Sequence, residues 1–356
     1  MPIGYRLGPT VWHGIGAFKV RLHDDIRTSV VFLGFADEKD REKGIHCVGT
    51  GFLLQYDGVG YLITARHVAK PLGDVGFVVR LNKDDGSCVN LEANERVSWF
   101  FHDDENVDLA AITFGVGKPG YSHSFLGPGT LLTEDVSYAM HVGAGDVCHT
   151  VGLFRMLVGA SRNLPVVHTG NISLMPGDEK VPIRDWDDES KTRWVDAYLV
   201  ESQSLPGLSG SPVFVRPSMR LQNLNAIDRN GKSSQVTGIF PQENVFLLGL
   251  FQAAWHAKPS EILAVGRGGP VTVPVGMGVV VPTSKIVELL EMPAVKQQRE
   301  EIARLRSASV AASPSAVVPP ALAAEPAPPP MEGDERSAER FTALLDAAVG
   351  KSKQGG

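Results

Sequence analysis

Gly49-Thr-Gly-Phe-Leu-Leu-Gln-Tyr56, Asp57-Gly58 and Val59-Gly-Tyr-Leu-Ile-Thr64 follow one another without a break, and this stretch decides the fold class. Two apolar, aromatic and β-branched runs flank a dipeptide that accepts positive φ. The reading is a β-hairpin with a two-residue turn. It ends at Ala65-Arg66-His67. Upstream, Thr28-Ser-Val-Val-Phe-Leu-Gly-Phe35 is a further strand. Downstream, short apolar runs recur at 76–81, 97–101, 109–114, 136–142, 148–154, 166–174, 194–201, 211–215, 234–240, 245–251 and 277–281. No helical period separates them, so the chain reads as an all-β sandwich or barrel, with enough strands for two barrels.

Composition narrows the function classes. The 356 residues carry a net charge of −6, with 43% hydrophobic and 21% charged residues. That acidity argues against a nucleic-acid partner. No apolar run approaches a membrane span, and residues 1–28 hold no secretory signal. The three cysteines, Cys47, Cys88 and Cys148, form no C-x-x-C pair. An odd count of dispersed thiols argues against a disulfide framework and a structural zinc, and for a reducing, cytoplasmic compartment. The ten His residues form no H-E-x-x-H pattern, so neither a metal nor an organic cofactor is expected.

Residues 1–25 form an irregular N-terminal arm. Helical signals lie at the other end. Thr283 is the expected N-cap of a helix over 283–292, with Ile286, Leu289 and Leu290 on one face. Pro293 should interrupt it before a charged helix over 293–306. Residues 307–336 are Ala/Pro-rich and read as a disordered linker. Ser337 then opens an amphipathic segment, 337–350, whose Phe341, Leu344, Leu345 and Ala348 make a stripe suited to docking on a protein partner or on the chain's own body. The acidic run Asp185, Asp187, Asp188 and Glu189 around Trp186 reads as a solvated loop, with calcium or a basic partner as the alternative.

Three strings carry reactive side chains at predicted strand edges. They are Leu62-Ile-Thr-Ala-Arg-His67-Val68, Asn106-Val-Asp108-Leu-Ala-Ala-Ile112 and Leu205-Pro-Gly207-Leu-Ser209-Gly210-Ser211-Pro-Val213. A serine hydroxyl needs a base within hydrogen-bond reach to act as a nucleophile. Histidine can take and return that proton near neutral pH. A buried carboxylate fixes the imidazole tautomer and stabilises the imidazolium. Glycines around Ser209 permit a tight turn, with the Gly207 and Ser209 N–H groups as the candidate oxyanion donors. The neighbouring Ser204 and Ser211 read as structural.

With these strings in view, the sequence resembles the trypsin/chymotrypsin-like serine proteases, of a bacterial, intracellular type. The order His67, Asp108, Ser209 matches the family's. Thr-Ala-Arg-His-Val resembles its T-A-A-H motif, Val-Asp-Leu-Ala its D-[IL]-A motif, and Gly-Leu-Ser-Gly-Ser-Pro its G-x-S-G-[GS]-P motif. The run from Gly276 to Pro282, leading into a helix, resembles the end of the domain in bacterial high-temperature-requirement proteases. The resemblance covers residues 26–292. It implies two six-stranded antiparallel β-barrels, about 26–140 and 141–282, with the site between them. It also implies a serine endopeptidase acting on protein or peptide substrates through an acyl-enzyme.

The departures carry information too. Leu208 stands where zymogen-activated relatives place an Asp, so pairing with a new N-terminus is not expected. Arg66 puts a bulky cation where the family usually has a small residue. The resemblance places Gln203 at the floor of the P1 pocket and Gly249, Leu250 and Phe251 on its wall. The alternative from another class is a catalytically weak trypsin-like module that presents or senses peptides on a strand edge.

Overall fold

The structure is a computed structural model that describes residues 22–37, 44–93, 98–115, 120–159, 161–184, 191–203, 205–217, 220–227, 233–240, 244–257 and 273–312. Most of the N-terminal arm, the acidic run around Trp186, Ser204, the linker from 313 and the Phe341 stripe lie outside the described residues. The chain divides into two units, Met1–Ser307 and Ala308–Gly356, and the features below belong to the first.

The described residues are mostly β. The N-terminal half holds α1 (Asp24–Thr28), β1 (Val30–Ala36), β2 (Ile45–Tyr56), β3 (Val59–Thr64), α2 (Arg66–Val75), β4 (Phe77–Lys83), β5 (Cys88–Ala93), β6 (Phe100–Phe101), β7 (Ala110–Thr113) and β8 (Tyr121–Ser122). After α3 (Glu134–Met140) come β9 (Val147–Gly152), β10 (Val166–Leu174), β11 (Val181–Arg184), β12 (Thr192–Val195) and β13 (Tyr198–Glu201). Then follow β14 (Pro212–Arg216), β15 (Arg220–Ile227), β16 (Ser233–Phe240), β17 (Phe246–Ala257) and β18 (Val273–Pro282), with α4 (Thr283–Glu291) and α5 (Pro293–Ala312) last.

Strands β1–β8 form one antiparallel sheet in the order β5-β4-β1-β2-β3-β7-β6, with β8 on β4. The β2–β3 hairpin lies inside it. Its turn residues have φ of 45° (Asp57) and 76° (Gly58), the conformation that lets two strands reverse without splaying. Pairing runs from Tyr56↔Val59 to Phe52↔Ile63. Phe52, Leu53, Leu54, Tyr61, Leu62 and Ile63 are all fully buried. Both faces are covered, which is why the sequence shows continuous apolar runs rather than alternation. Burying each such side chain contributes about 1.5–3 kcal/mol.

Strands β10-β13-β18-β17-β14-β9 close into a six-stranded barrel. Here the period of two is plain. Val213, Val215, Phe246 and Leu248 fill the barrel, while Phe214 and Leu247 turn outward into the core shared with the N-terminal sheet and with Ile286, Leu289 and Leu290 of α4. One face of each strand builds the barrel, and the other joins the two halves.

Several expectations change. The first half is an eight-stranded sheet rather than a six-stranded one. Residues 136–142 are mainly helical: Thr133 Oγ1 accepts from the Val136 N–H, and Glu134 and Asp135 sit in the first turn of α3. That cap and those acids outweigh the apolar run. Pro282, not Thr283, is the N-cap of α4, and the buried Thr283 hydroxyl donates to Leu247 O. Pro293 opens α5, where its missing N–H would have no intrahelical partner, and the helix runs to Ala312, past the expected boundary at 306. No helix among the described residues is long and apolar enough to cross a membrane.

Candidate active site

Helix α2 begins with a defect. Its N-cap is Ala65, which has no side-chain oxygen for the exposed N–H groups of the first turn. Asp108, at the end of the loop from β6 to β7, supplies one. Its Oδ1 accepts from the His67 N–H at 2.9 Å, and its Oδ2 lies 2.6 Å from His67 Nδ1. Asp108 is completely buried, whereas the His67 side chain is 30% exposed. The helix N-terminus favours the carboxylate charge. With Nδ1–H directed at Asp108, Nε2 is the nitrogen left to accept a proton. Burial pushes the His67 pKa down, but the charge and hydrogen bond of Asp108 push it up further, and the net shift is upward.

Ser209 reaches this neighbourhood through Thr50 on β2. The Thr50 N–H donates to Ser209 O at 3.0 Å. Its hydroxyl donates to Gly207 O at 2.8 Å and accepts from the Leu153 N–H at 2.8 Å. Its carbonyl accepts from Thr64 Oγ1, three residues before His67, at 2.7 Å. A Cβ on Gly49 would lie 2.8 Å from Val68 and 3.3 Å from Ser209 O, so the Ser209 loop and the first turn of α2 meet over that glycine. Gly210 has φ +86°, and a Cβ there would fall 2.0 Å from Thr50 O. Only glycine fits that approach.

Within the loop, the Gly210 N–H donates to Phe251 O and the Ser211 N–H to Leu208 O, both at 2.9 Å. The Gly207 and Ser209 N–H groups donate to nothing among the described residues. Two donors left open beside a serine can accept a developing oxyanion. The Ser209 hydroxyl makes no hydrogen bond to His67 among the described residues. Such bonds are often open in unliganded sites and tighten with substrate.

Leu208 is fully buried among the side chains filling the barrel. Ser211 Oγ is buried without a partner, and a Cβ on Gly152 would lie 1.8 Å from it. Among the described residues, no group of three or more His, Cys, Asp or Glu is placed to hold a metal ion. A cavity of about 690 Å³, lined by Leu132, Thr133, Tyr138, Tyr198 and the first turn of α4, includes none of the three reactive residues.

Gly249 pairs with Val213 on one side and Pro282 on the other, and Leu250 with Pro212 and Val281. Both are buried inside the sheet, and Phe251 points into the barrel core, so none of the three offers a free edge. From Gln252 onward β18 is the one strand paired with β17 among the described residues. The edge next to Ser209 therefore begins at Gln252 and Ala253. Gln203 is exposed.

Neither a family model nor a curated protein matches the chain. Among solved structures, the active form of the Rv3671c protease from M. tuberculosis covers 75% of this chain and 81% of its own, at 14% identity and a TM-score of 0.39. The inactive form of that protease covers 75% of this chain and 89% of its own, at 14% identity and a TM-score of 0.37. Overlap this loose is no basis for function, and the site stands on its own side chains.

Thr50 escaped the sequence reading. Its signal was a lone hydroxyl between two glycines in a hydrophobic strand, Gly49-Thr-Gly-Phe52, where any β-branched residue would serve the strand.

Proposed function

We propose that the chain is a serine endopeptidase of the two-barrel, chymotrypsin-like kind, with His67, Asp108 and Ser209 as its triad. The observation that carries this is the double grip of the buried Asp108 on the backbone and ring of His67. A carboxylate so placed orients a base; a purely structural aspartate could cap the helix without engaging the ring. In this reading His67 Nε2 takes the Ser209 proton as Oγ attacks the scissile carbonyl. The Gly207 and Ser209 N–H groups hold the oxyanion. The amine leaves with the proton from His67, and water then hydrolyses the acyl-enzyme by the same steps. The substrate is a protein or peptide whose backbone lies along Gln252 and Ala253. Cys47, Cys88 and Cys148 form no disulfide, which favours a reducing, cytoplasmic setting.

The absent Ser209–His67 hydrogen bond favours a second reading, a trypsin-like module that binds peptides without cleaving them. Fluorophosphonate labelling separates the two. Labelling of the native chain, with labelling and peptide hydrolysis both lost in Ser209→Ala, supports the protease. A native chain that binds peptides but neither labels nor hydrolyses refutes it.

A further inference from the structure

Asp108 sits in a loop, His102 to Leu109, that is closed at its base by the His102 N–H donating to Leu109 O. The loop is gripped from three directions. From α2, Arg66 donates to His102 O, and its guanidinium lies 5.4 Å from the centre of the Phe101 ring. From α4, Glu288 Oε2 lies 3.2 Å from His102 Nε2. From β12, Arg193 donates to Glu105 O at 2.7 Å. His102 is buried, and its Nδ1 accepts from the Asp104 N–H at 3.1 Å. The neutral ring therefore carries its proton on Nε2 and donates it to Glu288. Glu288 is itself held by Lys285 at 2.8 Å.

We infer that Arg66 and Glu288 are positioning residues: together, through His102, they hold the Asp108 loop, and hence His67, in working register. This rests on His67 and Asp108 acting as base and orienting carboxylate. The charged groups acting on Arg66 are Asp108, Glu105, Asp104 and Arg193. Neither residue touches a reacting atom. Arg66 acts through the His102 carbonyl, and Glu288 acts through the His102 ring. The last helix of the protease region is thereby tied to the reactive residues.

The test uses the full chain with Arg66→Ala, Arg66→Lys, Glu288→Ala and Glu288→Gln. Four quantities are read: kcat and KM on an ester substrate, the acid limb of the pH profile, and the His67 titration by NMR. Arg66→Ala should lower kcat about 10- to 100-fold, the scale of a small misplacement of a catalytic group. KM should change little. Arg66→Lys keeps the charge but not the planar fork and so isolates the grip: kcat should stay low, and the acid limb and the His67 titration should both move to lower pH, because a loosened Asp108 supports the imidazolium less. Glu288→Ala should lower kcat in the same direction, and Glu288→Gln, which still accepts from His102, should rescue it. A merely structural role would lower the melting temperature without moving the His67 titration. Unchanged kcat and titration in both alanine variants overturn the inference. Should Arg66→Ala fail to fold, the Glu288 pair on the half-exposed face of α4 decides by the same criteria. If the native chain hydrolyses nothing, the protease reading fails while the NMR titration still reports on the brace. A downward shift in Arg66→Lys then supports the brace, and no shift overturns it.

Discussion

Replacing Thr50 with Val exchanges a hydroxyl for a methyl at a fully buried position, keeping the shape and removing two hydrogen bonds. The Leu153 N–H, on a buried residue, loses its acceptor with no water to replace it, a loss of about 1–3 kcal/mol. The Gly207 carbonyl, on a half-buried residue, can turn to solvent and loses about 1 kcal/mol. The sum is a destabilisation of about 2–4 kcal/mol. The second consequence is chemical. Without the hydroxyl the peptide that follows Gly207 loses its anchor, and the open Gly207 N–H, whose own peptide is still held at Pro206 O by the Arg155 N–H, is fixed from one side only. Removing an oxyanion donor outright costs about 10²–10³ in kcat, so a loosened donor should cost at least about tenfold. Urea titration measures the first effect and ester turnover the second. Thr50→Ser keeps the hydroxyl and loses one buried methyl, so it should cost about 1 kcal/mol and leave kcat near native. A Val variant within about 0.5 kcal/mol of the native chain, with unchanged kcat, would refute the anchoring role.

The remaining expectations concern the same loop and its base. Because the His67 pKa is raised, the acid limb of kcat/KM should lie above the ordinary imidazole value of about 6.5. By linkage, the His67–Asp108 pair stabilises the fold fully below that value and less as pH rises through the raised one. Asp108→Asn should therefore lower stability more at pH 5 than at pH 9, and equal losses in parallel urea titrations would sink the coupling. Gly210→Ala places a Cβ against Thr50 O at a φ of +86°, and should cost upward of about 2 kcal/mol and abolish hydrolysis. Ser211→Ala removes a buried hydroxyl that has no partner, so stability should hold or rise and hydrolysis should persist. Loss of hydrolysis there would move the nucleophile away from Ser209.

What the sequence disclosed followed the range of the forces involved. The β2–β3 hairpin was readable because the Asp57-Gly58 turn and its flanking runs are contiguous, and no distant contact is needed to choose that conformation. The grip of Asp108 on His67 bridges 41 positions in sequence. It was legible only because each partner sits in its own recognisable string. Helix α3 was misread although its cap, Thr133-Glu-Asp-Val136, was present; Val136, Met140 and Val142 satisfy a strand's apolar requirement as well as a helix's. The edge of β17 beside Ser209 was not legible for a different reason. Strand β17 is 12 residues long and apolar throughout its first half, and nothing in those residues says where β14 stops pairing with it. That limit is set at the Ser209 loop, where Gly210 and Ser211 turn to bond Phe251. Thr50 and Gly207 are 157 positions apart, and His102 and Glu288 186. At such separations a hydroxyl or a carboxylate leaves no local pattern, since its own element would form equally well without it. The identities of the reacting groups are thus written locally, and the contacts that hold them in register exist only after the sheet and the barrel have closed against one another. Substitutions at Arg66 or Glu288 should accordingly separate folding from turnover more cleanly than substitutions at Thr50, whose buried hydroxyl serves both.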